Sequence, residues 1–213
     1  MVHCMDECNK VLLLHGVWMS GLEMSLLRRR LTREGFEVEV FRYPSLRLTP
    51  GENAARLQRH IQETGYGCLH LVAHSLGGLV LLNLFHRFPA QPPGRVVLLG
   101  APVRGSGVAR VLASRAWLRP LLGRSGRDGL LEGAPAWGGA RPLGVIAGTG
   151  GFGIGRLIGG LDNENDGVVS VSETRIGNAA DCRLLPCSHM GLLFDVQVVR
   201  DTAAFLREGR FPS

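Results

Sequence analysis

The 213-residue sequence lacks an apolar run near the roughly 20 residues that would cross a bilayer, and it has no internal repeat or low-complexity segment. Residues 1–10 lack the basic start and long apolar core of a secretory signal, so we expect a soluble, cytoplasmic protein. The hydrophobic content of 45% and the 30 glycines are typical of a globular chain with many tight turns. The length indicates one domain, residues 1–213.

Cysteine is also scarce, and its count is odd. Five cysteines without a secretory signal fit reduced thiols better than a disulfide framework. Cys182 and Cys187 flank a segment that we expect to be extended, which places them beyond disulfide reach. The sequence therefore predicts free thiols.

Lysine is nearly absent, and the excess of 24 basic over 18 acidic residues consists almost entirely of arginine. The arginines cluster at Arg28–Arg30 and between Arg104 and Arg141. No aromatic interleaving or nucleic-acid motif accompanies them, so we interpret the first cluster as a solvated helix face and expect no nucleic-acid partner. The second cluster suits either an anionic substrate or transient contact with a membrane surface, without stable insertion, and the sequence leaves both open.

Apolar, β-prone segments alternate with helical patterns along the whole chain. The predicted strands are 11–14, 37–41, 69–73, 95–99, 143–147 and 182–185. The predicted helices begin at the capping-box pattern Ser20–Glu23, at Thr49, after Ser75 and at Asp195. Such alternation predicts right-handed crossovers and a parallel sheet, with ligands bound beyond the carboxyl ends of the strands.

Residues 69–78 carry the most informative motif. An apolar strand ends in Ser75, which lies between the small residues Ala73 and Gly77, and an almost wholly apolar helix follows until Phe88–Pro89. Small neighbours allow the strained turn that exposes a serine hydroxyl at a strand end. On its own, the motif also fits a serine that merely caps a helix.

Other polar and glycine residues also fall at predicted strand ends. They are His15–Gly16, Gly100–Pro102, Gly148 and His189. Their placement at one end of the sheet predicts an active site, since a structural accident would scatter them over both ends.

At these residues the chain resembles the α/β-hydrolase superfamily, and Ala73–Gly78 is similar to the nucleophile elbow of its bacterial lipases and esterases, with Ala73 in place of the first glycine of G-x-S-x-G. The resemblance implies a minimal α/β-hydrolase fold of about six mostly parallel strands, with helices on both faces and a short cap. The cap would lie within residues 107–141.

The resemblance also implies a catalytic triad. A serine hydroxyl needs a base, and the base needs a carboxylate that fixes its tautomer. In the family's order of serine, acid and histidine, Asp166 and His189 match the later motifs. Ser75 is therefore the expected nucleophile, His189 the acid and base, and Asp166 the orienting acid.

Backbone amides complete the predicted site. The oxyanion hole is expected to use the N–H groups of Leu76, after the nucleophile, and of Val17, after the His15–Gly16 pair that resembles the family's H-G motif. We interpret His15 as an orienting histidine. His74 is expected to pack behind the site, because its side chain points away from that of Ser75.

The segment Asp162–Gly167 with Glu173 offers a competing interpretation, since its acidic spacing nearly matches a calcium loop. The glycine-rich stretch before it disfavours the helix that an EF-hand requires. No strand-linked G-x-G-x-x-G is present either. We therefore expect no metal and no cofactor.

The segment from Gly107 to Arg141 mixes tryptophan, leucine and arginine. It fits either an amphipathic cap over the site or an ordinary crossover helix with arginines on its surface. Because it is short, we expect an open site that hydrolyses small carboxylic esters of short to medium acyl length through an acyl-enzyme. Thioesterase or acyltransferase chemistry would use the same residues, and a non-catalytic binding protein of this fold is the alternative.

Overall fold

A computed structural model describes residues 8–151, Gly153, Leu157 and 159–212, apart from the side chains of residues 127 and 128. The strands are β1 Lys10–Leu14, β2 Glu37–Phe41, β3 His70–His74, β4 Val96–Leu99, β5 Leu143–Gly148 and β6 Asp181–Leu185. They form one parallel sheet in the order β2-β1-β3-β4-β5-β6. The predicted fold class is confirmed, and each predicted strand end lies within one residue of the observed one.

Helices connect the strands. They are α1 Ser25–Arg33, α2 Pro50–Thr64, α3 Leu76–Arg87, α4 Gly107–Ser114 and a carboxyl-terminal helix, Val196–Glu208. Short 3-10 turns occupy Leu22–Met24, Arg119–Leu122, Val171–Thr174 and Gly191–Leu193, and an α-helical and a π-helical turn follow one another at Gly123–Ser125 and Gly126–Leu130. The region from 107 to 130 is thus built mostly of single turns.

Half of the capping box predicted at Ser20 is present, and a 3-10 turn at Leu22–Met24 leads into the α-helix. The carboxylate of Glu23 accepts hydrogen bonds from the N–H groups of Ser20 and Gly21, and α1 begins only at Ser25. The capping box at Thr49 is present, because Glu52 and Thr49 exchange side-chain to backbone hydrogen bonds at the start of α2.

The sheet is covered on both faces. Residues of β1, β3 and β4 point alternately into two apolar clusters. One cluster contains side chains of α2, α3 and α4, and the other contains side chains of α1 and the carboxyl-terminal helix. The apolar surface of α3 faces the sheet and α2, as its composition predicts, and only the carboxyl-terminal end of the helix reaches solvent.

The prediction of free thiols throughout is wrong. Cys8 and Cys68 form a disulfide, with their Cα atoms 5.6 Å apart. The sequence pattern did not show the pair, because parallel pairing of β1 with β3 brings together two positions 60 residues apart. Cys182 and Cys187 are free, as predicted, and Cys4 lies outside the described residues. No helix in the described ranges is long and apolar enough to cross a bilayer.

Cys68→Ser should lower the free energy of unfolding by about 2–4 kcal/mol, because the bond restricts the unfolded chain. Urea unfolding measures the loss. Cys182→Ser, at an exposed free thiol, is the matched control and should change stability by less than about 0.5 kcal/mol. Equal stability of Cys68→Ser and the parent under oxidising conditions would contradict this role for the disulfide.

Candidate active site

Ser75 occupies a strained turn between β3 and α3. Its backbone has φ 53° and ψ −123°, and Trp18 is the only other non-glycine residue with positive φ in the described ranges. Such a conformation persists only where the surroundings enforce it. The N–H of Ser75 donates to the carbonyl oxygen of Leu99 on β4 at 2.9 Å, which ties the turn to the sheet.

The glycines after Ser75 allow the close packing of this turn. A β carbon on Gly77 would lie 2.8 Å from the carbonyl oxygen of His15 and 2.9 Å from that of Leu14. A β carbon on Gly78 would lie 2.4 Å from Cβ of Ala101. The start of α3 therefore touches the ends of β1 and β4, and no larger residue fits without displacing them.

Asp166 and His189 form a buried pair. Nδ1 of His189 lies 2.7 Å from Oδ2 of Asp166, and the N–H of His189 donates to the carbonyl oxygen of Asp166 at 2.8 Å. The other carboxylate oxygen accepts from the N–H groups of Val168 and Val169. Since the carboxylate accepts the Nδ1 proton, Nε2 of a neutral His189 is free to accept a proton.

The pair lies beside the turn of Ser75. A β carbon on Gly100, the residue after β4, would lie 3.0 Å from Oδ2 of Asp166 and 3.2 Å from Nδ1 of His189. The preceding residue, Leu99, accepts the backbone hydrogen bond of Ser75. The structure thus brings the three predicted triad residues to one end of the sheet, although no hydrogen bond joins the Ser75 hydroxyl to His189 among the described contacts. In enzymes without substrate such bonds are often long and tighten on binding.

His74 packs behind this pair. Its ring lies 4.6 Å from that of His189, and Nε2 lies 3.0 Å from the carbonyl oxygen of His189. Since a carbonyl only accepts, Nε2 carries the proton and holds the backbone of His189. Burial lowers the pKa of His74 well below its ordinary value, so the ring stays neutral. His74 therefore adds no positive charge beside the His189–Asp166 pair.

The loop after β1 carries the predicted amide of Val17. Nε2 of His15 accepts from the N–H of Tyr43 at 3.3 Å, so Nδ1 carries the proton and donates to the carbonyl oxygen of Gly16 at 2.9 Å. The two groups of a trans peptide point in opposite directions, so the N–H of Val17 points away from His15. This geometry agrees with an orienting role for His15.

The amides of Val17 and Leu76 both lack an acceptor among the described residues. Leu76 is the first residue of α3, where a helix leaves its N–H groups unsatisfied and electropositive. Both are therefore free to donate to a developing negative charge.

An apolar cavity of about 260 Å³ reaches Ser75. Its walls come from the loop after β1, from α4 and the turns after it, and from the loop before residue 170. They include Val17, Trp18, Pro102, Val108, Ala109, Leu112, Leu118, Leu121, Leu130 and Val169. Ser75 is only 5% exposed and His189 only 7%. The site is therefore more enclosed than the short insert predicts.

Two residues of the calcium interpretation have other partners. Asp166 faces His189, and Glu173 accepts from the N–H groups of Ser170 and Gly107. The described residues contain no group of three acidic, histidine or cysteine side chains arranged to hold a metal ion.

Comparison with known proteins identifies the family of this chain. Residues 11–201 match the model of the alpha/beta hydrolase family. The chain belongs to this family. No curated protein matches the sequence. The family match accounts for the parallel sheet and for a serine at the β3–α3 turn.

Solved hydrolase structures share the fold. The mature lipase BlEst2 of Bacillus licheniformis is 19% identical, with a TM-score of 0.67 and 88% of each chain covered. A metagenomic carboxyl esterase is 15% identical, with a TM-score of 0.64, and the match covers 86% of this chain and 65% of the esterase. The Legionella pneumophila phospholipase PlaB is 16% identical, with a TM-score of 0.65, and the match covers 92% of this chain and 56% of PlaB. Identities this low establish the fold alone.

One part of this hydrolase's site was not predicted. Nε1–H of Trp18 donates to the carbonyl oxygen of Leu121 at 2.8 Å, across 103 residues of sequence. Trp18 also has φ 58°. Its position directly after Val17 was the only available signal, and nothing in the sequence indicates its partner.

Gly77→Ala tests the packing of the Ser75 turn. Alanine normally stabilises a helix interior by about 0.5–1 kcal/mol relative to glycine. Here the added methyl group meets two carbonyl oxygens, so we expect a loss of about 1–3 kcal/mol in urea unfolding. Because the amide of Leu76 moves with the turn, turnover of a soluble ester should fall about 100-fold.

Gly67→Ala is the matched control, because its added β carbon meets nothing within 4 Å. We expect its stability and turnover to equal those of the parent protein. A stable, fully active Gly77→Ala protein would show that the turn does not depend on this close approach.

Proposed function

We propose that this hydrolase cleaves carboxylic esters through an acyl-enzyme formed on Ser75. The observation that carries the proposal is the strained Ser75 turn at the wall of an apolar cavity, beside the His189–Asp166 hydrogen bond of 2.7 Å. The acidic residue that orients the base and the two free amides of Val17 and Leu76 support the same chemistry.

In the proposed reaction, Nε2 of His189 removes the Ser75 proton as Oγ attacks the ester carbonyl carbon. The carbonyl oxygen becomes an oxyanion that accepts hydrogen bonds from the amides of Val17 and Leu76. His189 then gives the proton to the leaving alkoxide, which departs as an alcohol. Water, deprotonated by His189, attacks the acyl-enzyme and releases the carboxylic acid, and the proton returns to Ser75.

Thioesters and acyl transfer to an alcohol would use the same groups, and the apolar cavity favours an acyl chain in each case. The second class is a hydrolase-fold protein that binds a ligand without turnover. A fluorophosphonate probe separates these classes. A stoichiometric adduct on Ser75 eliminates the binding-only function, and no adduct on folded protein eliminates the enzyme.

The cytoplasmic location stays a prediction, and one finding weighs against it. Disulfides persist in oxidising compartments and are rare in the cytosol. The Cys8–Cys68 bond therefore favours an oxidising compartment over the cytoplasm predicted from the sequence.

Substituting the proposed triad tests the mechanism. Ser75→Ala and His189→Ala should each lower kcat about 10⁴-fold or more, and the double substitution should lose little more, because the residues act as a unit. Asp166→Asn should also nearly abolish turnover, since it removes the carboxylate that fixes the Nδ1 proton. Steady-state hydrolysis of p-nitrophenyl butyrate measures all four proteins.

Asp162→Asn is the matched control for Asp166→Asn. It makes the same change in the same loop, where the only donor to the carboxylate among the described residues is the Ser172 hydroxyl. We expect nearly full activity and no effect of a chelator. Additive losses in the double substitution, or ordinary activity in any single triad variant, would contradict the assignment.

The cavity also predicts acyl-chain selectivity. Each buried methylene contributes about 0.8 kcal/mol, so kcat/KM should rise up to about fourfold per carbon until the cavity is filled, and then fall. Short to medium esters should be the best soluble substrates. Ala109→Leu narrows the wall and should shift the optimum to shorter chains.

Ala113→Leu makes the same change on α4 outside this cavity, so it should leave the optimum in place. A series of p-nitrophenyl esters of increasing acyl length measures the shift. A steady rise of kcat/KM to long-chain esters in the parent protein would show that the cavity does not limit chain length.

A further inference from the structure

Three large apolar side chains are exposed at the mouth of the Ser75 cavity. Trp117 is 76% exposed, Trp18 51% and Leu121 48%, and all three line the cavity. The hydrogen bond from Trp18 to the carbonyl oxygen of Leu121 joins two of them, and Trp117 shares the cavity wall with both. We call these residues the mouth patch. Exposed tryptophans grouped around an opening are unusual on a soluble surface and mark an interaction site.

Arginines border this patch. Arg115 lines the Ser75 cavity, and Arg47, Arg119 and Arg124 line a second cavity of about 510 Å³ that shares Leu122 with the first. We call these four residues the arginine rim. Arg124 pairs with Glu52, but no described carboxylate lies within ion-pair distance of the other three. The rim therefore presents positive charge that the described part of the chain does not neutralise.

The position of the mouth patch at the opening of the Ser75 cavity indicates which kind of partner it binds. If Ser75 is reached through this cavity, as the proposed function requires, a protein docked on the mouth patch would block the substrate. A lipid surface would instead supply it. Tryptophan stabilises the level between headgroups and acyl chains, and arginine is attracted to anionic headgroups.

We propose that the mouth patch and the arginine rim bind the surface of an anionic lipid bilayer, so that ester substrates enter the cavity from the bilayer. Trp18, Trp117 and Leu121 lie at headgroup level, and the rim arginines contact the phosphate groups. Shallow binding of this kind needs no membrane-spanning segment.

Vesicle flotation with the Ser75→Ala protein tests this surface without turnover, so the result is independent of the proposed function. Vesicles of phosphatidylcholine are compared with vesicles containing about 30 mol% phosphatidylglycerol. We expect binding to the anionic vesicles only, and release as salt rises from about 0.05 M to about 0.5 M. Equal binding to both compositions, or no binding to either, would overturn the proposal.

Arg119→Glu reverses one rim charge and should weaken anionic-vesicle binding about tenfold or more, since each charge near the surface changes affinity about fivefold. Arg29→Glu makes the same charge change on α1, which packs on the opposite face of the sheet, and should bind like the parent. In active protein, Arg119→Glu should hydrolyse p-nitrophenyl butyrate at the parent rate, which shows that it folds. Equal effects of the two substitutions would overturn the assignment of this face.

Trp117→Ala should weaken binding to the anionic vesicles at low salt, because it removes the most exposed apolar side chain of the mouth patch. The tryptophan emission of the parent should shift to shorter wavelength on anionic vesicles, and the shift should be smaller in Trp117→Ala, where only Trp18 still contacts the bilayer because Trp137 is buried. An unchanged shift in Trp117→Ala, or a stable dimer whose formation abolishes vesicle binding, would overturn the proposed orientation.

Discussion

The backbone of Ser75 is the constraint on which the site depends. A φ angle of 53° is strained for serine, and the packing around Ser75 keeps the backbone in this conformation. β4 holds its N–H, and the ends of β1 and β4 touch the following glycines. The same contacts hold the amide of Leu76 at the start of α3. The strain, the small residues and the parallel sheet are therefore parts of one arrangement.

Two buried, neutral histidines stabilise this arrangement through hydrogen bonds. Burial lowers the pKa values of His15 and His74, so each acts as a hydrogen-bonding ring and not as a charge. His15 fixes the peptide that carries the Val17 amide, and His74 fixes the backbone of His189. Two neutral histidines thus position the amide of Val17 and the backbone of His189, the histidine proposed to carry the proton.

The sequence predicted the sheet well because the central strands are short and largely apolar, as in Val96–Leu99 and Leu143–Gly148, and because β2 alternates polar with apolar residues. It also placed Ser75 and His189 at strand ends, since the order of elements fixes which ends meet, whereas Asp166 was predicted from the family resemblance. It missed whatever depends on contacts between distant segments. Neither the Cys8–Cys68 bond nor the Trp18 contact has a local signature. The helix start differs less, since the Glu23 half of the capping box forms and a 3-10 turn precedes α1.

The contact between Trp18 and Leu121 has a mechanical consequence. Val17, whose amide points away from His15, is bonded directly to a tryptophan that is itself tied to the turns over the cavity. A displacement of those turns that keeps the hydrogen bond would therefore also move Trp18 and the adjacent amide of Val17. The turns over the cavity and the amide that the proposed function assigns to the oxyanion are therefore two ends of one short chain of contacts.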